Sequence, residues 1–166
     1  MARATEETSL IISVARYVYA ALALAFVAAL LLQVYFIGLG LFDSSEYKDL
    51  HATFGWILHE VPPFILLAAA FAGAGRTRLV QTAALAVIIF FVPILAALRA
   101  DAPLTAAFHP VSAVLAILLA TLVARGATRL IRSPDAGSRT TVAEWVAVAL
   151  LVAIYFVTTL GGSPEA

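Results

Sequence analysis

Cysteine is absent from the chain, and its single methionine is Met1. Thiolate zinc sites, iron–sulfur clusters and thioether-linked haem are therefore excluded, as is an internal methionine axial ligand. Any haem iron or soft metal held by side chains must use His51, His59 or His109. Charge is equally scarce, at 12% of 166 residues against 63% hydrophobic, with a mean hydropathy of +1.03. A soluble domain of this length turns about half of its residues to water. The composition instead implies a polytopic membrane protein forming a single domain. No nucleotide loop, nucleophile constellation or nucleic-acid patch is present.

What the chain does have is a series of apolar runs. Those long enough to span are Tyr17–Leu41, His51–Ala74, Leu79–Leu98, Thr105–Ala124 and Val142–Leu160. The short connections between the first four favour up-and-down neighbours. The expected fold is an all-α membrane bundle with a four-helix core over residues 17–131, a linker over 125–141 and a fifth transmembrane helix over 142–160. The leader MARATEETS has no small-residue cleavage site, and the run after Arg16 is longer than a signal h-region, so the first helix is expected to be retained.

The formal net charge of zero conceals an asymmetry. Arg3, Arg16, Arg76, Arg78, Arg125, Arg129, Arg132 and Arg139 fall on one side of this topology, and only Lys48 and Arg99 on the other. The positive-inside rule then predicts a cytoplasmic N-terminus and an external C-terminus. The arginines of residues 125–139 read as a topogenic and lipid-head-group feature. Tyr17, Tyr19, Trp56, Trp145 and Tyr155 are candidate interface anchors, with Trp56 equally able to face the bundle. Glu144, near Arg125 and Arg129, reads as a surface ion pair.

Against this background the segment LHATFGWILHEVPP (residues 50–63) is costly. It finds a faint echo downstream: GLFDSSEYKDLHATFG aligns with ALRADAPLTAAFHPVSA, in two hairpins that each return through a histidine. His51 and His109 are then pseudo-equivalent. They lie near the external ends of helices that are diagonal partners in an up-down ring, so they can face one another. Each is followed four residues later by a small side chain, Gly55 or Ala113, on the same helix face. A haem b ligated by histidines on opposing helices suits this pattern, with Phe54 and Phe108 as walls and Lys48 and Arg99 near the propionates. Competing with it is the reading in which both histidines only reach water or form hydrogen bonds. Asp49 with His51 and Asp101 with His109 outline a weaker external Zn or Cu site.

His59 stands about 12 Å deeper than His51 at 1.5 Å per residue, and is the alternative ligand. Glu60 at that depth must be protonated, paired or hydrated. Pro62 and Pro63 crowd the carbonyls of Leu58 and His59 and should kink the helix, leaving acceptors open. Gln33, His59 and Glu60 are the expected polar pocket, suited to a quinone head group or a proton path, or else a structural kink satisfied by Gln33 or water.

Together QVYFIGLGLF (Gln33–Phe42), LHATFGW and FHPVSA (Phe108–Ala113) resemble the signature of a group of small bacterial four-helix membrane proteins of unknown activity. The resemblance covers about residues 17–131, places Gln33, His51, Gly55 and His109 in a shared core and implies a bacterial inner membrane. In plan the bundle is also similar to four-helix b-type cytochromes, which usually carry more histidines. The resulting expectation is a small membrane cytochrome binding one haem b and exchanging electrons with quinol or a partner complex. The alternatives are an accessory subunit of a larger membrane complex and, behind it, a proton-coupled transporter built on His59-Glu60.

Overall fold

The computed structural model describes residues 2–161, with side chains over 10–159 except at 134. The Arg3 side chain and residues 162–166, which include the C-terminus, lie outside the described residues. The elements are α1 (Ala2–Phe42), α2 (Glu46–His59), α3 (Val61–Phe71), α4 (Arg76–Ala97), α5 (Pro103–Ala106), α6 (Phe108–Arg132), a 3₁₀ turn at Pro134–Ala136, and α7 (Val142–Gly161). Five stretches are long and apolar enough to cross a membrane: Leu10–Phe42, Glu46–Phe71, Arg76–Ala97, Pro103–Arg132 and Val142–Thr159. The chain is an all-α, multi-pass helical bundle, as helices alone satisfy every backbone group within one segment in hydrocarbon.

Several spans extend beyond their apolar runs. The second begins at Glu46, because the amides of Asp43 and Ser44 both bond to Leu39 O and close α1 tightly. Glu46 and Asp49 then suit the first turn of α2. His51 consequently sits inside a helix rather than at its edge. The fourth span runs to Arg132, with Arg129 and Arg132 at the helix end that favours cations. The linker is therefore 133–141 rather than 125–141.

α6 packs on α1 and α4, and the α2/α3 span packs on the same two helices. This makes α2/α3 and α6 one diagonal of a four-helix ring, and α1 and α4 the other. Small residues permit the close approach: Ala116, Ala120, Ala124 and Ala127 of α6 are all buried, as are Ala20 and Ala23 of α1 and Ala68, Ala69 and Ala70 of α3. Tyr19, in the core, donates to Thr82 Oγ1 at 3.0 Å, since the Thr82 hydroxyl hydrogen goes to Arg78 O at 2.8 Å.

The arginine-rich end is closed by backbone acceptors. The turn after α3 uses positive φ at Gly73 (59°) and Gly75 (82°), where a side chain would be strained. Ser138 N donates to Gly73 O at 3.1 Å, and Thr140 Oγ1 to Ala70 O at 2.6 Å. Arg78 Nη1 joins Ala74 O and Ala136 O, both at 2.9 Å. Glu144 closes a capping box instead of an ion pair: its Oε2 accepts from Thr141 N at 2.8 Å and Thr141 Oγ1 at 3.0 Å.

At the opposite end the packing changes. Outward of Leu30, Leu58, Ile89 and Ala116, Gly40 is the only fully buried residue among those described on α1, α2, α4 and α6. Inward-facing positions there are half-buried, so the dense core occupies the arginine-rich half and thins toward the other.

Candidate functional site

In that thinner half, His51 of α2 and His109 of α6 meet across the diagonal. Their ring centroids are 6.4 Å apart and the ring planes cross at 80°. Each Nδ1 faces a main-chain carbonyl, which can only accept, so each Nδ1 carries the hydrogen. His51 Nδ1 donates to Gln33 O at 3.0 Å and His109 Nδ1 to Val92 O at 2.8 Å. The second lone pair of a helical carbonyl accommodates such a donor without breaking the helix. In a neutral ring so held, Nε2 is a bare lone pair turned away from the bonded helix.

The two hairpins match in detail. His51 reaches back 18 residues to the preceding long helix, α1, and His109 reaches back 17 residues to α4. The pseudo-equivalence read from the faint repeat is thus expressed as one hydrogen bond made twice.

On the His51 side the bond is reciprocated. Gln33 Nε2 donates back to His51 O at 2.6 Å. A Cβ at Gly55 would stand 2.7 Å from Gln33 Nε2, so the missing side chain is what admits the amide. Gly55 serves the clamp and leaves no slot for a macrocycle at its own position. Gln33 Oε1 is buried with no hydrogen-bond partner among the described residues, an acceptor that remains to be matched.

The remaining expected residues divide. Phe54 is half-buried and packs edge-on against Phe36, with centroids 5.6 Å apart. Ala113 is half-buried beside His109. Phe108 is 61% exposed and points outward, so it is not a wall of the site. Lys48 and Arg99 are exposed at the same end as the histidines, and the Lys48 stem covers Gly40, where a Cβ would meet its Cγ at 2.7 Å. No cluster of three or more His, Asp or Glu groups able to hold a metal ion occurs among the described residues, so the aspartates do not complete a Zn or Cu site.

The polar kink is built differently from expectation. His59 is 2% exposed and rings pack around it: Trp56 and Phe90 at 5.6 Å, Tyr155 at 5.1 Å. Its Nδ1 lies 3.2 Å from Glu60 Oε1. Pro63 withholds the amide that would have bonded His59 O, and Tyr155 of α7 donates its hydroxyl to that oxygen instead. Gln33 therefore belongs to His51, and the fifth helix satisfies the kink. Tyr19 and Tyr155 are buried bond-makers rather than interface anchors. Sequence reasoning missed Tyr155 as a partner; an acceptor stranded by proline and a hydroxyl in an otherwise apolar helix were the available signals.

No curated protein matches the chain, and no solved structure does. A family model does match, over residues 33–101, and it is described as a family of unknown function, DUF6220. The matched stretch begins at Gln33, contains His51, Gly55, His59, Glu60 and Arg99, and ends before His109.

Proposed function

We propose that the protein is a small membrane b-type cytochrome in which His51 and His109 hold one haem b as axial ligands. The observation carrying this reading is the separation of the two rings. About 2.0 Å for each metal–nitrogen bond and about 1.1 Å from nitrogen to ring centroid would put two imidazoles holding one iron between them about 6.2 Å apart, against 6.4 Å here. The donor chemistry agrees: carbonyl-held Nδ1–H groups fix the tautomer and raise the basicity of Nε2, the usual support for a metal-bound histidine. The half-buried interior at this end supports the same reading, as does the matching Nδ1 contact of each histidine. When bound, haem supplies one-electron transfer, with quinol or a partner complex as the exchange partner.

The chain's own residues orient and enclose. Gln33 and Val92 aim the imidazoles, Gly55 admits the Gln33 amide, and Phe36 and Phe54 exclude water beside α1. Lys48 and Arg99 supply positive charge at the rim, where carboxylates of the group would emerge. A role limited to histidine hydrogen bonds accounts for the two Nδ1 contacts but gives neither Nε2 a partner among the described residues. The test is the visible spectrum of protein purified from haem-supplemented cells and reduced with dithionite. A b-type α-band lost in both His51→Ala and His109→Ala, and kept in His59→Ala, is expected. Colourless wild-type protein overturns the proposal.

A further inference from the structure

An apolar groove of about 540 Å³ opens where α7 meets α3 and α4, at the arginine-rich end. Leu66, Ala83, Ala147 and Leu151 line its length, and Arg76, Thr141 and Glu144 form its mouth. α7 is tied to the core by Tyr155 on His59 O, by Trp145 edge-on to Phe71 at 4.7 Å, by Phe156 on Phe64 at 5.7 Å and by Tyr155 on Phe90 at 5.2 Å. Of these only Tyr155 on Phe90 reaches α4, well away from Arg76, which leaves the rest of the seam with α4 open along the groove.

The opposite charges at the mouth are not joined. Arg76 is exposed and lines the same groove as Glu144, yet the two form no ion pair among the described residues. Oε2 of Glu144 is occupied by Thr141, leaving Oε1 for another donor. A guanidinium and a carboxylate held apart over an apolar groove at a helix-end level present a cation site, an anion site and a hydrocarbon slot together. A phospholipid whose head group carries both a phosphate and a primary ammonium complements all three.

We propose that this groove binds one phosphatidylethanolamine-type lipid, its phosphate on Arg76, its ammonium on Glu144 and one acyl chain along the α4–α7 seam. The site is independent of the haem reading. Its occupant seals α7 to the core, where burying apolar groove wall against a chain supplements the sparse contact between α4 and α7.

Native mass spectrometry of the full chain, exchanged in detergent against dioleoyl phosphatidylethanolamine, phosphatidylcholine or phosphatidylglycerol, tests it. One phosphatidylethanolamine retained per chain is expected, with at least several-fold weaker retention of the other two. Arg76→Gln and Glu144→Gln should each reduce that retention several-fold, the glutamine preserving the helix cap. Ala147→Trp fills the groove without touching either charge and should release the lipid. Equal retention of phosphatidylglycerol and phosphatidylethanolamine, no response to Glu144→Gln, or a lipid kept by Ala147→Trp overturns the assignment.

Discussion

Tyr155 of α7 donates its hydroxyl hydrogen to the main-chain oxygen of His59, the acceptor that Pro63 strands in the second span. A defect in one helix is thereby repaired by another 96 residues away. Such a bond inside a membrane protein contributes about 1 kcal/mol. Tyr155→Phe should lower the apparent Tm in detergent by a few degrees while leaving any haem spectrum intact. In a Pro63→Ala background, where an amide is restored opposite His59 O, the same substitution should cost much less. Equal cost in both backgrounds would contradict the repair.

The clamp at His51 gives a second test. Gly55→Ala puts a Cβ where Gln33 Nε2 lies, at 2.7 Å, and must expel the amide. Haem retention through purification is expected to fall several-fold in Gly55→Ala and to recover substantially when Gln33→Ala is added, because the crowding atom is gone. The two substitutions are in contact, so their effects should be non-additive. Additive losses would separate Gly55 from Gln33.

The linker closing the arginine-rich end depends on Gly137. A Cβ there would stand 2.7 Å from Gly73 O and 2.9 Å from Arg16 Nη2. Backbone on one side leaves little room to yield, so Gly137→Ala should release the 133–141 segment. Limited proteolysis is expected to cut the variant within that segment at least several-fold faster than the wild type.

The arginine asymmetry predicts membrane orientation. A periplasmic-type enzymatic reporter fused after Asp101 should be active, and one fused after Ser138 inactive. The reverse pattern would place the histidine pair on the cytoplasmic side.

Much of this architecture was legible in the sequence because hydrocarbon leaves few choices: apolar runs of spanning length must be helices, and short loops make neighbours antiparallel. The His51–His109 juxtaposition followed from that topology together with the repeat. Helix ends were less legible, since Glu46–Asp49 and Arg125–Arg132 are polar yet helical, stabilised by the helix dipole rather than by burial. The partners of polar groups were least legible. Starting the second helix at His51 put Gln33 level with His59, but α2 begins at Glu46, which carries His51 more than a turn inward to the level of Gln33. His59 then lies deeper, packed against Phe90 of α4 and Tyr155 of α7. Phe108 likewise adjoins His109 in sequence and faces outward, as consecutive helical residues diverge by about 100°.

The central claim is that His51 and His109 together hold a single haem b, and the most direct measurement is low-temperature electron paramagnetic resonance of the oxidised, purified protein with haem quantified per chain. The account predicts one haem per chain with a low-spin ferric signal of bis-histidine type, absent from His51→Ala and from His109→Ala and unchanged in His59→Ala. A chain without haem, or a low-spin signal that survives the loss of either His51 or His109, would contradict it.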